Sequence, residues 1–172
     1  MIAYILSILL SSFLLFQIQP LIGKYILPWF GGTANVWSAS LLFFQIMLTG
    51  GYAYAVWLTQ KLPQRYRRWV HLLLLAASAF LLGRNFFGWD APIFPPKTWL
   101  GDGSPLGNIL QILFISVGVP YFLLSTNSTL IQVWFNKDFP KRNPYWLYAL
   151  SNTGSLLGLL AYPILIEPRF PL

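Results

Sequence analysis

Two pairs of tryptophans set the scale of this chain: Trp37 and Trp57 bracket one apolar run, Trp69 and Trp89 bracket the next, and the members of each pair are 20 residues apart. At about 1.5 Å of rise per helical residue that separation is roughly 30 Å, the hydrocarbon thickness of a bilayer. An indole ring is most stable at headgroup level, where its apolar body is half buried and its N–H stays hydrated. The spacing therefore predicts two successive membrane-spanning helices. Composition extends the reading to the whole chain, because 56% of the 172 residues are hydrophobic and only 9% are charged. A water-soluble domain of that makeup would expose more apolar surface than solubility tolerates.

Reading outward from the tryptophans predicts an all-α, polytopic integral membrane bundle forming one transmembrane domain. Its five spans are expected at about 1–22, 36–58, 69–87, 106–134 and 144–166. The first run has no basic n-region and no small-residue cleavage site, so it reads as a retained helix and not as a removable signal. Between the first two spans, GKYILPWFGGTAN (Gly23–Asn35) holds Pro28, Gly31 and Gly32. These helix breakers predict a turn lying in the interface. Residues 88–107, with Pro92, Pro95, Pro96 and Pro105, predict an ordered outer loop. Pro144 is expected in the first turn of the last helix, where its missing N–H costs nothing.

The formal net charge of +7 points to topology and not to nucleic acid. The eleven Lys and Arg residues fall in short loops between apolar runs, with no basic amphipathic face. With five spans, the N-terminal side holds seven of them (Lys61, Arg65, Arg67, Arg68, Lys137, Lys141, Arg142) and the other side four (Lys24, Arg84, Lys97, Arg169). The positive-inside rule then predicts an inner (cytoplasmic) membrane protein with a cytoplasmic N-terminus and an external C-terminus.

Chemistry inside the spans is sparse. All four carboxylates (Asp90, Asp102, Asp138, Glu167) lie in loops or at a helix end, and the single histidine, His71, sits beside the basic loop. Ionisable groups at mid-membrane are costly and are kept where a proton or cation must pass, so a self-contained proton-coupled transporter is disfavoured. Without cysteine and with one histidine, no metal, cofactor or nucleophile is expected. The chain reads as non-catalytic.

What the spans do carry is neutral polar groups. Span four contains Ser125, Thr126, Asn127, Ser128 and Thr129 in unbroken sequence, and span five contains Ser151, Asn152, Thr153 and Ser155. Asn127 lies roughly 10 Å in from Trp134 and Asn152 roughly 10 Å in from Tyr145, so the two clusters share one depth and can bond across antiparallel neighbours. Five consecutive polar residues cover more than a turn, so some must face a cavity, a ligand or another subunit. Pro120 is expected to free the carbonyl of Ser116 and kink span four. Gly154 and Gly158 form a GxxxG spacing expected to bring span five close against span four. Gln17 and Gln45 lie roughly 10–12 Å below the outer ends of the first two spans. All of these groups read either as interhelical hydrogen bonding or as the lining of a site.

The segments FQIQPLIGKYILPWFGG (Phe16–Gly32), VWSASLLFFQIMLTGGYAYA (Val36–Ala55), VGVPYFLLSTNSTLIQVWF (Val117–Phe135) and PYWLYALSNTGSLLGLLAYPILIEP (Pro144–Pro168) resemble the membrane half of bacterial spermidine-synthase-like proteins. In that family a major-facilitator-like helical region precedes a soluble domain similar to an aminopropyltransferase. The resemblance implies a transporter-like membrane module cut off after about five helices. No Gly-rich nucleotide-binding turn and no acidic polyamine-binding residues are present, so synthase activity is not expected here. The loop TQKLPQRYRRW also lacks the acidic residue of the usual major-facilitator gating motif.

Three roles are compatible with these features: an accessory or scaffold subunit packing into a larger membrane complex, half of a transporter completed by another chain, or an anchor for a separate aminopropyltransferase-like enzyme. The first is favoured, because small-residue stripes without buried charge serve packing, whereas transport needs a pathway that one half-bundle does not enclose. A topology reporter fused after Leu172 is expected to read as external and one inserted at Gln64 as cytoplasmic. Finding both on one side would mean that one of the five spans is wrong.

Overall fold

Apolar runs longer than 20 residues have few polar side chains to satisfy their backbone N–H and C=O groups, so the helix, which pairs them internally, is the conformation open to them. In the computed structural model, which describes residues 1–89 and 103–169, they form five helices. These are α1 (Ile2–Phe30), α2 (Ala34–Lys61), α3 (Gln64–Gly88), α4 (Pro105–Asp138) and α5 (Trp146–Ile166). All five are long and apolar enough to cross a membrane.

The helices overrun several expected ends. α1 does not stop at Ile22 but continues through Pro28 to Phe30. Proline there sacrifices one backbone bond close to the helix end, and the chain turns away only at Gly31, whose φ of 78° is open to glycine without steric cost. The Gly31 N–H donates to the Leu27 carbonyl at 2.8 Å, and the expected interfacial turn over 23–35 shrinks to the few residues before Ala34. α3 starts at Gln64, so Arg65, Arg67 and Arg68 ride on its first turns instead of in a loop. Pro144 lies in the turn ahead of α5, with its carbonyl accepting from the Leu147 N–H at 3.0 Å, and not inside the helix. Most of the outer loop expected over 88–107 lies outside the described residues.

Pro120 bends the expectation in an informative way. The helix widens into a π turn over Phe114–Gly118, in which each N–H reaches back five residues instead of four. In that register the residue facing the Ile115 carbonyl is Pro120, which has no N–H to give. Asn85 of α3, buried at 3% exposure, donates its Nδ2 to that carbonyl at 3.4 Å. The Ile115 carbonyl thus takes its donor from a neighbouring helix. Pro163 repeats the device: Tyr162–Ile166 is a second π turn, closed by the Glu167 N–H on the Tyr162 carbonyl at 2.9 Å.

The helices pack as a row in the order α2, α4, α1, α5, with α3 against the outer side of α4 and α2. The main core fills the junction of α1, α2 and α4 with Ile22, Ile26, Phe43, Phe44, Leu113 and Tyr121. A smaller core of Ile8, Ile131, Phe135 and Leu147 joins α1, α4 and α5.

The GxxxG stripe of α5 does pack closely, but against α1 and not α4. A Cβ on Gly154 would sit 2.6 Å from the Leu9 carbonyl oxygen, and one on Gly158 2.7 Å from that of Phe13. Gln17 Nε2 donates to the Gly158 carbonyl at 2.7 Å, which locks the register. The sequence places α4 and α5 next to each other, but the backbone that Gly154 and Gly158 meet is that of α1. Gly158→Leu is therefore expected to cost about 1–3 kcal/mol by forcing α1 and α5 apart. Leu157→Ala, at a side chain 47% exposed, is expected to cost less. Thermal unfolding in detergent reads the difference, and wild-type stability for Gly158→Leu would contradict the close contact.

Candidate functional site

Because α2 and α5 stand on opposite flanks of the α4–α1 pair, a groove is left between them with α1 and α4 as its floor. The hydroxyl-bearing residues of α4 and α5 meet there, joined by Ser11 and Ser12 of α1. Together with Leu48 and Tyr52 of α2 and with Tyr148, Asn152 and Ser155 of α5, they line a cavity of about 210 Å³. No charged side chain lines it. A second cavity of about 380 Å³ lies between the same flanking helices farther along α1, beside the Lys24 Nζ to Glu167 Oε1 ion pair of 3.0 Å.

The direction of each hydrogen bond follows from the single proton of each hydroxyl. Ser12 Oγ donates to its own helix, to the Ile8 carbonyl at 2.8 Å, so at 2.7 Å from Ser151 Oγ it must accept. Ser151 therefore gives its proton to Ser12, and in the 3.3 Å contact with Ser128 it accepts. Gln132 Nε2 lies behind Ser128 at 3.5 Å. A one-way chain results, running from α4 through α5 to the backbone of α1. Beside it Asn127 Nδ2 donates to Ser11 Oγ at 2.9 Å, and Ser11 passes its own proton to the Ser7 carbonyl at 2.5 Å.

The predicted polar residues separate into those the fold brings together and those it does not. Ser125 is buried and donates to the Phe122 carbonyl at 2.6 Å, close against Gly51, where an added Cβ would collide with its Oγ. Ser151 is the hub of the chain just described, and Gln17 binds Gly158. Asn127 and Asn152 do not bond to each other: the first turns to α1, and the second is exposed at the cavity mouth. Thr129 is half-buried on α4 and does not line the cavity. Gln45 points out of the bundle, two turns from Tyr52 on the same face of α2, and reaches no other helix.

Sequence reasoning overlooked Ser11 and Ser12, although a pair of hydroxyls at the depth of the other two clusters was a usable signal. It also overlooked Gln19, whose Nε2 donates to the buried Tyr121 hydroxyl at 2.6 Å. Tyr52 and Tyr148, which line the same cavity, were overlooked as well. The assembled groups can solvate a neutral or donor-bearing partner, but they hold no nucleophile and base in contact.

Comparison with known protein families, with curated proteins and with solved structures finds no match to this chain. The resemblance to spermidine-synthase-like proteins rests on the quoted segments alone.

A double-mutant cycle tests the hydrogen-bond assignment. Ser11→Ala and Asn127→Leu are expected to couple by about 0.6–2 kcal/mol, the range of hydrogen bonds between membrane helices. Asn127→Leu and Asn152→Leu are expected to be additive. Unfolding of the two pairs of variants gives both values, and the reverse pattern would reinstate a direct Asn127–Asn152 bond.

Proposed function

We propose that this chain is a multi-pass protein of the inner membrane, cytoplasmic at its N-terminus and external at its C-terminus, and that it works as a non-catalytic accessory or scaffold subunit. Its partners are the bilayer and other membrane subunits, which seat on the α2–α5 face. The observation that carries this reading is the open polar mouth between those helices. Asn152, Tyr52 and Gln45 are exposed on two helices long and apolar enough to cross a membrane. Amides facing hydrocarbon lose their hydrogen bonds to water and gain nothing in return, whereas amides facing another polar helix surface recover them.

Two further features support the membrane setting. Tyr4 OH donates to Asp138 Oδ2 at 2.5 Å near one end of α1, and Lys24 pairs with Glu167 near the other. The 20 residues between Tyr4 and Lys24 correspond to roughly 30 Å, so the charged fastenings fall where two headgroup layers would be. α3 and α5 each bury only 17% of their apolar span, which leaves wide faces for lipid or for neighbouring subunits.

The hydroxyl-lined cavity favours a second reading, in which the chain is half of a major-facilitator-like transporter and a second bundle closes the groove into a pathway. Anchoring of an aminopropyltransferase-like enzyme rests on the resemblance only. Solubilised in mild detergent, the wild-type chain is expected to elute within a multi-subunit assembly. The Gln45→Leu, Asn152→Leu double variant should leave that assembly while the isolated chain stays as stable as wild type. Elution with one further bundle alone would favour the transporter half, a soluble nucleotide-binding protein the anchor, and an isolated wild-type chain would overturn all three.

A further inference from the structure

At the opposite side of the bundle from the polar groove, the first turns of α3 and the last turns of α4 enclose a cavity of about 790 Å³. Arg65, Arg67, Arg68 and Lys137 line it, against a single carboxylate, Asp138. That carboxylate is engaged by the Tyr4 hydroxyl, and the one ion pair among the described residues is the distant Lys24–Glu167 bridge. Four cations thus line the hollow, and no carboxylate among the described residues stands within ion-pair distance of them. Arg67 Nε donates to the Leu62 carbonyl at 2.8 Å, which fixes that guanidinium while leaving its terminal nitrogens free for another acceptor. The N-terminus of α3 has no side-chain cap, so the positive end of the helix adds to the same field.

We propose that this cavity binds the phosphodiester headgroup of an anionic phospholipid. Guanidinium forks match phosphate oxygens in pairs, which makes arginine the residue suited to a phosphoryl anion held in place. Trp69 and Trp134 stand in the lining, as indoles do at headgroup level. One turn along α3 the surface becomes apolar, with Leu72 and Leu73 exposed at 45% and 68%, an acyl-chain track leading away from the charged hollow. A free phosphate has no use for that track, and an acidic protein segment would meet it as an apolar obstruction. Basic hollows between helix ends on the cytoplasmic side are suited to such lipids, whose negative surface potential already draws cations toward them. The proposal rests on the membrane setting put forward above.

The test uses the full-length chain purified in a neutral detergent, with thermal unfolding followed during titration. Phosphatidylglycerol at about a hundredfold excess over Kd is expected to raise Tm by roughly 5–10 °C. Phosphatidylcholine and inorganic phosphate should give no comparable rise. The triple variant Arg65→Gln, Arg68→Gln, Lys137→Gln should bind phosphatidylglycerol at least tenfold more weakly. The triple variant Lys61→Gln, Lys141→Gln, Arg142→Gln removes the same charge outside the cavity and should bind like wild type.

Equal stabilisation by phosphatidylcholine, full stabilisation by phosphate, or equal loss in both triple variants would overturn the site. Should the first variant fail to fold, native mass spectrometry of wild-type protein from equimolar phosphatidylglycerol and phosphatidylcholine decides, with retention of both lipids alike as the overturning result. Alkaline extraction of membranes from expressing cells separates the two levels. A chain that stays in the membrane without lipid preference refutes only the headgroup site, whereas a chain released to the supernatant refutes the membrane setting.

Discussion

The closeness of α1 and α5 governs the arrangement of the rest. Where Gly154 and Gly158 meet the carbonyls of Leu9 and Phe13, two backbones touch with no side chain between them, and Gln17 fastens the contact with one hydrogen bond. Such a contact cannot slide, because a shift of one residue along α5 would drive Ser155 or Leu157 into the α1 backbone. With α5 fixed on one flank of α1, the other flank is left for α4, and α2 packs chiefly on the far side of α4, meeting α1 at the core that the three helices share. The groove between α2 and α5 is therefore a consequence of the glycine contact, and the depth at which Ser12, Ser128 and Ser151 meet follows from its register.

Proline handling is the second organising constraint. A proline deep within a long helix leaves a carbonyl unmatched, and in apolar surroundings an unmatched carbonyl is expensive. α4 meets this by widening into a π turn and accepting a side-chain donor from α3 at Asn85. That bond is one of few polar ties holding α3, which otherwise leans on the bundle through Ser78, His71 and ring contacts such as His71 with Trp134 at 6.2 Å. The position of α3 sets the position of Arg65 and Arg68, so a proline in α4 bears indirectly on the shape of the basic hollow some turns away.

Length and apolar character made the five helices legible in the sequence, and the tryptophan spacing gave their scale. Boundaries were less legible: Pro28 reads as a breaker in isolation, yet a helix tolerates proline near its end, and Gly31 alone makes the turn. The depth of the polar clusters was readable by counting residues. Their pairing was not, because the short link between α4 and α5 makes them look like partners, while the small residues that decide contact lie on α1 and α5. Ser11 and Ser12 held the missing information in plain sight, two hydroxyls in an otherwise aliphatic run. Gln45 marks the opposite failure, since nothing in a string of residues distinguishes an amide turned inward from one turned out.

The hydrogen-bond directions impose a chemical asymmetry on the groove. All six serines in the cavity lining give their single proton to a protein acceptor: Ser11, Ser12, Ser125 and Ser155 to carbonyls of their own helices, Ser128 to Ser151, and Ser151 to Ser12. What they present to the cavity is lone pairs. Donors at its mouth come from Tyr52, Tyr148 and the amide of Asn152, at the rim and not at the floor. A surface or molecule entering deeply must bring its own N–H or O–H groups, and a bare anion would find carbonyl and hydroxyl oxygens facing it. The hollow between α3 and α4 is lined by cations, so the two polar regions of the bundle differ in charge as well as in place: the groove is neutral and rich in acceptors, the hollow cationic.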